Sequence, residues 1–515
     1  MQKSEKASIR TPGRVFARSA PIATLFLALG GCASLQPEPL TDVELTQQSR
    51  ADRAAARANV EPITQALTLP EAQARALKYN LDRRVRLMEE ALALRQTDLS
   101  RLDMLPKLIA QAGYTSRDRD RITSSVDLAT GQVAPSRYLS QENSHTLSEF
   151  GVSWSLLDFG LGYYNARQAS DRFLIASERR RRAMHLLMQD VRVAFWRAAS
   201  AQKLETRLRQ TVAEAEKALA DARRAEAGRI RNPIDGLRYQ RQLLENLRLL
   251  ESITQELSAA QVDLAQLINA PMGTVLRVVE PSGNALPGGE VLMLPVESLE
   301  EAALMANADV REQYYNARIA RVEARRTLLR LFPNVTFNYG TNYDTDRFQV
   351  NNQWNEAGIQ LSFNVLNVFT ANRQLAFAEA GIALADQRRV AAQMAVIAQV
   401  HLARLQLGNA LRQYERAGQI YQTDQRLADF TLAREQAQLQ SPLDRVSAQT
   451  AAILSELRRY QALAQAQAAD ARLEATLGVE PAIGSVSETS LKELVQQLSN
   501  APRWTGRVAP ASKAK

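Results

Sequence analysis

The sequence predicts a mainly helical fold in which long antiparallel coiled helices carry a small β part of four strands. Three observations lead to this fold class. The 515-residue chain is 45% hydrophobic but only 6% aromatic, which is typical of long helices whose contacts are made by small side chains. Apolar residues recur in steps of three and four over long stretches without proline. Four short runs instead alternate apolar and polar residues with a period of two, the pattern of half-buried strands.

The N-terminus has the three parts of a secretory leader. Basic residues come first, an apolar run follows from Ile22 to Leu29, and Gly30 and Gly31 precede Cys32. The apolar run is too short to span a bilayer. We therefore predict a cleaved signal peptide over residues 1–31.

Cys32 is the only cysteine of the chain, so no disulfide can form within it. The segment Leu29-Gly30-Gly31-Cys32 resembles a bacterial lipobox, in which the thiol receives a diacylglycerol. This resemblance implies lipidation of Cys32, a lipidated N-terminal segment over residues 32–68 and, because Ala33 follows the cysteine, sorting to the outer membrane. The alternative is an ordinary signal peptide with a chance cysteine.

The formal net charge of +9 would suit a nucleic-acid-binding protein. However, Lys and Arg alternate with Asp and Glu along nearly every predicted helix, as expected for solvated helix faces. Several of the positive charges also lie in the leader and leave with it. We therefore expect no nucleic-acid partner.

The chain contains two copies of one pattern, which show as pairs of equivalent residues 209 positions apart. These pairs are Asp158 and Asn367, Pro233 and Pro442, Asp235 and Asp444, Gln240 and Gln449, and Leu264 and Leu473. We predict a first repeat over residues 69–270, a linker over 271–298, a second repeat over 299–480 and a C-terminal tail over 481–515. Upstream, Pro106 and Pro333 lie 227 positions apart. The first copy is therefore longer, and we place its extra residues in a loop over 117–145.

Each copy is predicted to hold the same elements in the same order. A helix (71–104 or 300–330) ends before a proline, and two strands and a very long helix (164–230 or 371–439) follow. The chain then reverses at a tip (228–236 or 437–445) and returns in a helix (236–269 or 445–477). The long helix should reach roughly 100 Å and each short helix about half of that. We therefore expect two short helices to stack end to end beside each long one.

The four strands are predicted over residues 107–117, 147–157, 334–343 and 357–366. In the third strand, large side chains at Val335, Phe337 and Tyr339 alternate with Asn334, Thr336 and Asn338. A length of about 8 to 10 residues suits a tilted transmembrane strand, and this alternation suits the wall of a water-filled barrel. A soluble sheet is the alternative. Four strands cannot close around a passage, so a spanning chain must oligomerise, and three copies would supply twelve strands.

Several local patterns resemble those of the TolC family of outer-membrane efflux and secretion channels, over roughly residues 65–480. They are Leu69-Pro70-Glu71-Ala72, Leu299-Glu300-Glu301-Ala302, Leu157-Asp158-Phe159-Gly160 and the tips that carry Asp235 and Asp444. The resemblance implies a homotrimer in which the helices form an α-barrel across the periplasm and the strands complete a 12-stranded transmembrane β-barrel. It also implies a passive conduit that docks through a periplasmic adaptor protein onto an inner-membrane transporter.

The same resemblance implies the functional residues of the two tips. Leu443, Asp444 and Ser447 would form a constriction, with Asp444 as a ring of three carboxylates that favours cations. Ser447 stands where the family often has a second acid, so a double acidic ring is not expected. The alternative for Asp444 is a helix N-terminal capping role after Pro442. For the docking of an adaptor, we expect Gly228, Pro233, Asp235 and Pro442 to matter.

We find no pattern of residues that predicts an enzyme, a metal site or a cofactor site. His145, His185 and His401 are far apart in the sequence and lack metal-ligand spacing. No phosphate-binding loop is present. The competing function is a lipid-anchored periplasmic coiled-coil scaffold without a pore, which would have no need for the alternating strands.

Overall fold

The computed structural model describes residues 38–227, 233–280, 289–439, 441–480, 486 and 488–500. The predicted signal peptide, Cys32 and Gly228 lie outside these residues. The chain divides into two units, residues 1–59 and 60–515. In the first, helix α1 (Asp42–Arg57) begins with a capping box, in which Thr41 and Glu44 satisfy each other's backbone N–H groups.

The second unit contains long antiparallel helices and a four-stranded sheet, so the predicted fold class is confirmed. The elements of the first repeat are α2 (Leu69–Tyr79), α3 (Leu81–Leu102), β1 (Lys107–Ser116), β2 (Ile122–Val126), β3 (Val133–Leu139), β4 (Ser144–Ser155), α4 (Leu156–Ala227) and α5 (Pro233–Leu267). After a 3₁₀ helix (Gly289–Met293), the second repeat holds α6 (Val296–Ala306), α7 (Ala308–Leu329), β5 (Asn334–Asp344), β6 (Gln353–Ser362), α8 (Leu366–Gln436) and α9 (Pro442–Leu477). Helix α10 (Leu491–Asn500) follows.

The two longest helices are α4 with 72 residues and α8 with 71 residues. Both begin earlier than predicted, since the sequence placed their starts at residues 164 and 371. Helix α4 starts directly after the last residue of β4. Helix α8 starts soon after β6, where the Asn364 side chain accepts a hydrogen bond from Leu366 N at 3.1 Å. A rise of 1.5 Å per residue makes each helix roughly 105 Å long.

The prediction of one continuous helix before each pair of strands is wrong. Each stretch is two helices, separated at Asn80 or Asn307. Asn80 Oδ1 accepts a hydrogen bond from Arg83 N at 2.9 Å, and Asn307 Oδ1 accepts one from Asp309 N at 2.8 Å. Both asparagines thus act as N-caps.

The same two asparagines also fasten the helix breaks to the ends of the return helices. Asn80 Nδ2 donates to Leu267 O at 3.1 Å, and Asn307 Nδ2 donates to Thr476 O at 2.9 Å. The asparagines lie 227 positions apart and the accepting carbonyls 209, which are the two offsets read from the sequence. The junction of three helices is therefore built in the same way in both repeats.

The main sheet is antiparallel throughout and has the strand order β1–β4–β5–β6. The predicted loop over 117–145 is wrong in part, because it contains a two-stranded hairpin, β2 with β3. The last strand is also shifted from 357–366 to Gln353–Ser362, since the turn at Asn364 that starts α8 withdraws the following residues from the sheet.

The core lies where α4 packs between α5 and α9. Its largest cluster surrounds Phe195 and Trp196 of α4, whose rings are 5.8 Å apart at an interplanar angle of 90°, an edge-to-face contact. Leu264 of α5 and Tyr460 of α9 belong to the same cluster. Within the described residues, we find no helix that combines enough length and apolar character to cross a bilayer.

Candidate functional site

One face of the main sheet is covered with large apolar side chains that extend across all four strands. In the register of the sheet, Leu108 pairs with Val152, Val152 with Tyr339, and Phe337 with Ile359. All five side chains are exposed in the protomer, from 37% for Phe337 to 74% for Ile359. A contiguous exposed apolar surface of this kind marks contact with lipid or with another molecule.

The opposite face of the sheet carries mainly polar side chains and glycines. Gln111 Nε2 donates a hydrogen bond to Glu149 Oε2, and Asn342 Nδ2 donates one to Glu356 Oε2 at 3.5 Å. Gly151 and Gly340 pair on this face, where a Cβ added to Gly151 would lie 2.8 Å from Tyr339 O. The alternation that the sequence predicted therefore gives the sheet one apolar face and one polar face.

The two edges of the main sheet are open. Strand β1 pairs only with β4, and β6 pairs only with β5, among the strands that the structure describes. Both edge strands are 10 residues long, and long unpaired edges are sites where another strand adds. The sheet is thus suited to extension by further copies of itself.

The turn between β5 and β6 is held by buried carboxylates. Asp346 Oδ1 accepts hydrogen bonds from Glu142 N at 3.2 Å and from Phe348 N at 3.0 Å, and Asp344 Oδ1 accepts one from Asp346 N at 3.0 Å. His145 Nε2 lies 4.0 Å from Asp344 Oδ2. His145 therefore packs against this turn.

At the second tip, the structure assigns a capping function to Asp444. Ser441 is the N-cap of α9, and Asp444 N donates to its hydroxyl at 3.4 Å. In return, Asp444 Oδ2 accepts hydrogen bonds from Ser441 N at 3.3 Å and from Ser441 Oγ at 2.9 Å. Asp444 thus completes a capping box rather than acting as the N-cap itself, and its residue remains exposed. Pro442 is the first residue of the helix.

The other predicted residues of the constriction contact neighbouring helices of the protomer. Leu443 packs on an apolar cluster with Val446 of α9 and Leu243 of α5. Ser447 Oγ accepts a hydrogen bond from Asn246 Nδ2 at 3.0 Å. Their function in a constriction stays a prediction.

Arg445, which the sequence did not single out, ties the second tip together. Its side chain is 15% exposed and forms ion pairs with Glu214 of α4 and Glu435 of α8. It also donates to Gln449 Oε1 at 3.3 Å. One guanidinium therefore joins three helices. The position of this arginine directly after the tip aspartate is the sequence signal that could have identified it.

At the first tip, Gly236 occupies the position equivalent to Arg445, so this position cannot supply the arginine clamp that Arg445 forms with Glu214 and Glu435. Asp235 and Arg238 form a loose surface pair at 3.7 Å, with side chains 66% and 79% exposed. Pro233 starts α5, whereas Gly228 lies outside the described residues. Docking of a partner at these positions stays a prediction.

The three histidines have separate surroundings. His401 Nε2 lies 2.7 Å from Glu300 Oε1, and His185 Nε2 lies 4.0 Å from Glu480 Oε1. Within the described part of the chain, no three His, Cys, Asp or Glu side chains are grouped to hold a metal ion.

The His185 pair belongs to the junction at the end of α9. Burial alone would raise the pKa of the Glu480 carboxyl, but His185 and the ion-paired Arg181 outweigh burial and lower this pKa to about 2. Arg181 also pairs with Glu178 and donates to Ala306 O at 3.3 Å. A single carboxylate therefore links the end of α9 to α4 beside the helix break.

We expect Glu480→Gln to reduce stability at neutral pH but hardly at pH 2. Because the folded-state pKa of Glu480 is depressed from 4.5 to about 2, its contribution is full above the unfolded value and is lost as the pH falls between these two values. Its side chain is 38% exposed, so water screening limits the contribution to about 1 kcal/mol. Thermal unfolding of both proteins at pH 7 and pH 2 measures this; an equal difference at both values would contradict it.

The fold is shared with solved outer-membrane channels. The Campylobacter jejuni CmeC outer membrane channel matches with a TM-score of 0.61 and 11% identity, over 96% of this chain and 98% of that chain. The open state of the Neisseria gonorrhoeae MtrE outer membrane channel matches with a TM-score of 0.59 and 16% identity, over 80% and 88%. The outer membrane protein VceC from Vibrio cholerae matches with a TM-score of 0.57 and 13% identity, over 80% and 96%.

No family model matches the chain, and no curated protein matches it either. At these identities the likeness is one of fold. This chain therefore has the fold of TolC-family outer-membrane channels along nearly the whole length of the solved structures.

Proposed function

We propose that this chain is one protomer of a homotrimeric outer-membrane channel, a passive conduit of a tripartite efflux or secretion system. In this function the four strands of each protomer contribute to a 12-stranded barrel. The long helices extend into the periplasm, where their tips meet a periplasmic adaptor protein and an inner-membrane transporter.

The observation that carries the proposal is the main sheet with its apolar face, its polar face and its two open edges. Hydrogen-bonding groups cannot be left unpaired in lipid, so β1 and β6 need partners if the sheet spans a membrane. The β6 edge of one copy and the β1 edge of the next supply them. Three copies close a ring of twelve strands, which leaves room for water inside.

The anchor and the constriction are further parts of the proposal. A diacylglycerol on Cys32 would hold the mature N-terminus at the outer membrane. The exposed Asp444 carboxylates of three copies would meet near the axis at the tip, with Leu443 and Ser447 beside them. The capping box fixes the start of the helix that carries all three residues.

The test separates the channel from the lipid-anchored scaffold without a pore. We would replace residues 1–32 by a signal peptide that lacks a cysteine and examine the outer-membrane fraction. A channel remains embedded there as a heat-resistant trimer and conducts ions in planar bilayers. A monomer that is released into the periplasm, with no conductance, would overturn the channel and favour the scaffold.

We expect Arg445→Gln to open the periplasmic tip. The substitution removes the charge that pairs with both Glu214 and Glu435 and leaves these carboxylates to repel each other across the gap. Breaking such largely buried pairs costs about 1 to 3 kcal/mol, enough to raise an open population roughly 5- to 150-fold. Single-channel conductance in planar bilayers measures the change.

The matched control is Arg238→Gln at the first tip. Its ion pair with Asp235 is exposed on both sides, so its loss should leave the conductance unchanged. Equal conductance of Arg445→Gln and the unaltered protein would show that the clamp does not hold the tip closed.

A further inference from the structure

Helices α4 and α8 are equivalent elements of the two repeats, yet they differ in the number of residues that are buried within the protomer. Helix α4 has 22 buried residues and α8 has only 7. Both helices are fully described and nearly equal in length. The difference therefore lies in their neighbours.

Helix α4 is covered by two return helices, its own and that of the other repeat. Ala218 shares an apolar cluster with Leu243 of α5 and with Val446 of α9. Ion pairs from Arg207 to Glu456 at 3.0 Å and from Arg192 to Glu474 at 3.1 Å also join α4 to α9. Helix α8 packs on its own return helix, α9, and among the described elements no second return helix lies on it.

The internal repeat identifies the missing neighbour. If α9 of the second repeat covers α4 of the first, the equivalent contact for α8 is with α5, the return helix of a first repeat. Helix α5 of the same protomer already packs on α4. The partner must then be α5 of another copy, as in the trimer of the proposed function, on which this inference rests.

The offset of 209 also fixes the register of this contact. Ala218 and Val446, which share a cluster, correspond to Leu427 and Leu237 in the equivalent pair. The two helices of the pair are antiparallel, so a step toward the N-terminus of α8 corresponds to an equal step toward the C-terminus of α5. A step of seven residues from Leu427 and Leu237 therefore places Ile420 opposite Leu244.

This register matches large apolar side chains that the protomer leaves exposed. Leu427 and Leu237 are each 54% exposed, Ile420 is 50% exposed and Leu244 is 47% exposed. A further step of 18 residues brings together Leu402 and Val262, which are 49% and 52% exposed. A shift of one residue would instead place Leu427 opposite Arg238.

Between the apolar pairs, both helices carry charges of both signs. These residues are Arg412, Glu415 and Arg416 on α8 and Glu245, Arg248 and Glu251 on α5, all exposed in the protomer. Such a seam resembles the flanks of a coiled coil. We infer that α8 of one protomer packs antiparallel on α5 of the next, with Leu427 facing Leu237, Ile420 facing Leu244 and Leu402 facing Val262.

Disulfide cross-linking of the full chain in membranes tests the register. The expected pairs are Leu427→Cys with Leu237→Cys, and Ile420→Cys with Leu244→Cys. The controls use the same four cysteines with exchanged partners: Leu427→Cys with Leu244→Cys, and Ile420→Cys with Leu237→Cys. A seven-residue displacement moves the sulfurs roughly 10 Å apart, beyond the reach of a disulfide.

We expect the two in-register pairs to give covalent dimers and trimers on non-reducing gels, at least tenfold more than the exchanged pairs. Native mass measurements on the same samples report the oligomeric state. A trimer in which only the exchanged pairs cross-link, or in which none does, overturns the register and leaves the channel proposal standing. A monomer overturns the proposed function itself.

Discussion

Tyr339→Arg is expected to abolish assembly in the outer membrane. Tyr339 lies on the apolar face of β5, between Val152 and Ala357 of the adjacent strands, and is 58% exposed in the protomer. An arginine on the lipid face of a barrel costs about 2 to 4 kcal/mol near the bilayer midplane. A trimer carries three such charges. The amount of heat-resistant trimer in the outer-membrane fraction measures the effect, which we expect to exceed tenfold.

Asn338→Arg is the matched control, one residue earlier on the opposite face. Asn338 pairs with Ser153 and Gly358, so an arginine there has room and faces the polar side. We expect normal assembly and a changed ion preference in bilayer recordings. If both substitutions reduced the trimer equally, the assignment of the two faces would be wrong.

Gly478→Ala should destabilise the junction at the end of α9. Gly478 has a φ of 70°, where an L-residue costs about 1 to 2 kcal/mol, and an added Cβ would press directly on the backbone carbonyl of Ala306. Displacing that backbone adds about 1 to 3 kcal/mol. We expect a total loss of about 3 kcal/mol in the free energy of unfolding, measured by guanidinium titration.

Gly273→Ala separates the strain of the backbone from the steric clash. Gly273 has a φ of 85°, and nothing lies within 4 Å of an added Cβ. Its substitution should cost about 1 kcal/mol, from the left-handed conformation alone. A loss for Gly478→Ala no larger than this would show that the junction at Ala306 yields easily.

The periodic features of this fold were predictable from the sequence. Alternation at Val335, Phe337 and Tyr339 fixed the two faces of β5, because side chains of a strand point to opposite sides in turn. The offset of 209 predicted two equivalent helix pairs, although the return helix of the second repeat begins at Pro442 and not at residue 445 as predicted. These are local patterns, and local geometry is sufficient to read them.

The helix breaks, the hairpin and the tip clamp depended on long-range contacts. Asn80 and Asn307 interrupt stretches whose apolar periodicity continues, and each break is held by the carbonyl of a helix nearly 170 to 190 positions away. Arg445 gains its partners from two other helices. For Asp444, the sequence left a ring of carboxylates and a capping function open, and the capping box supports the second.

The sequence alone determined the internal repeat, the alternating strands and the presence of one very long helix in each repeat, since these follow from spacing along the chain. Only the tertiary structure decided that α4 packs against two return helices within the protomer, while the equivalent α8 packs against one. The two repeats share one sequence pattern, so the pattern itself cannot reveal this difference. The difference arises because, among the described elements, the protomer supplies a second return helix to α4 and none to α8. This is visible only when elements distant in the sequence are brought together.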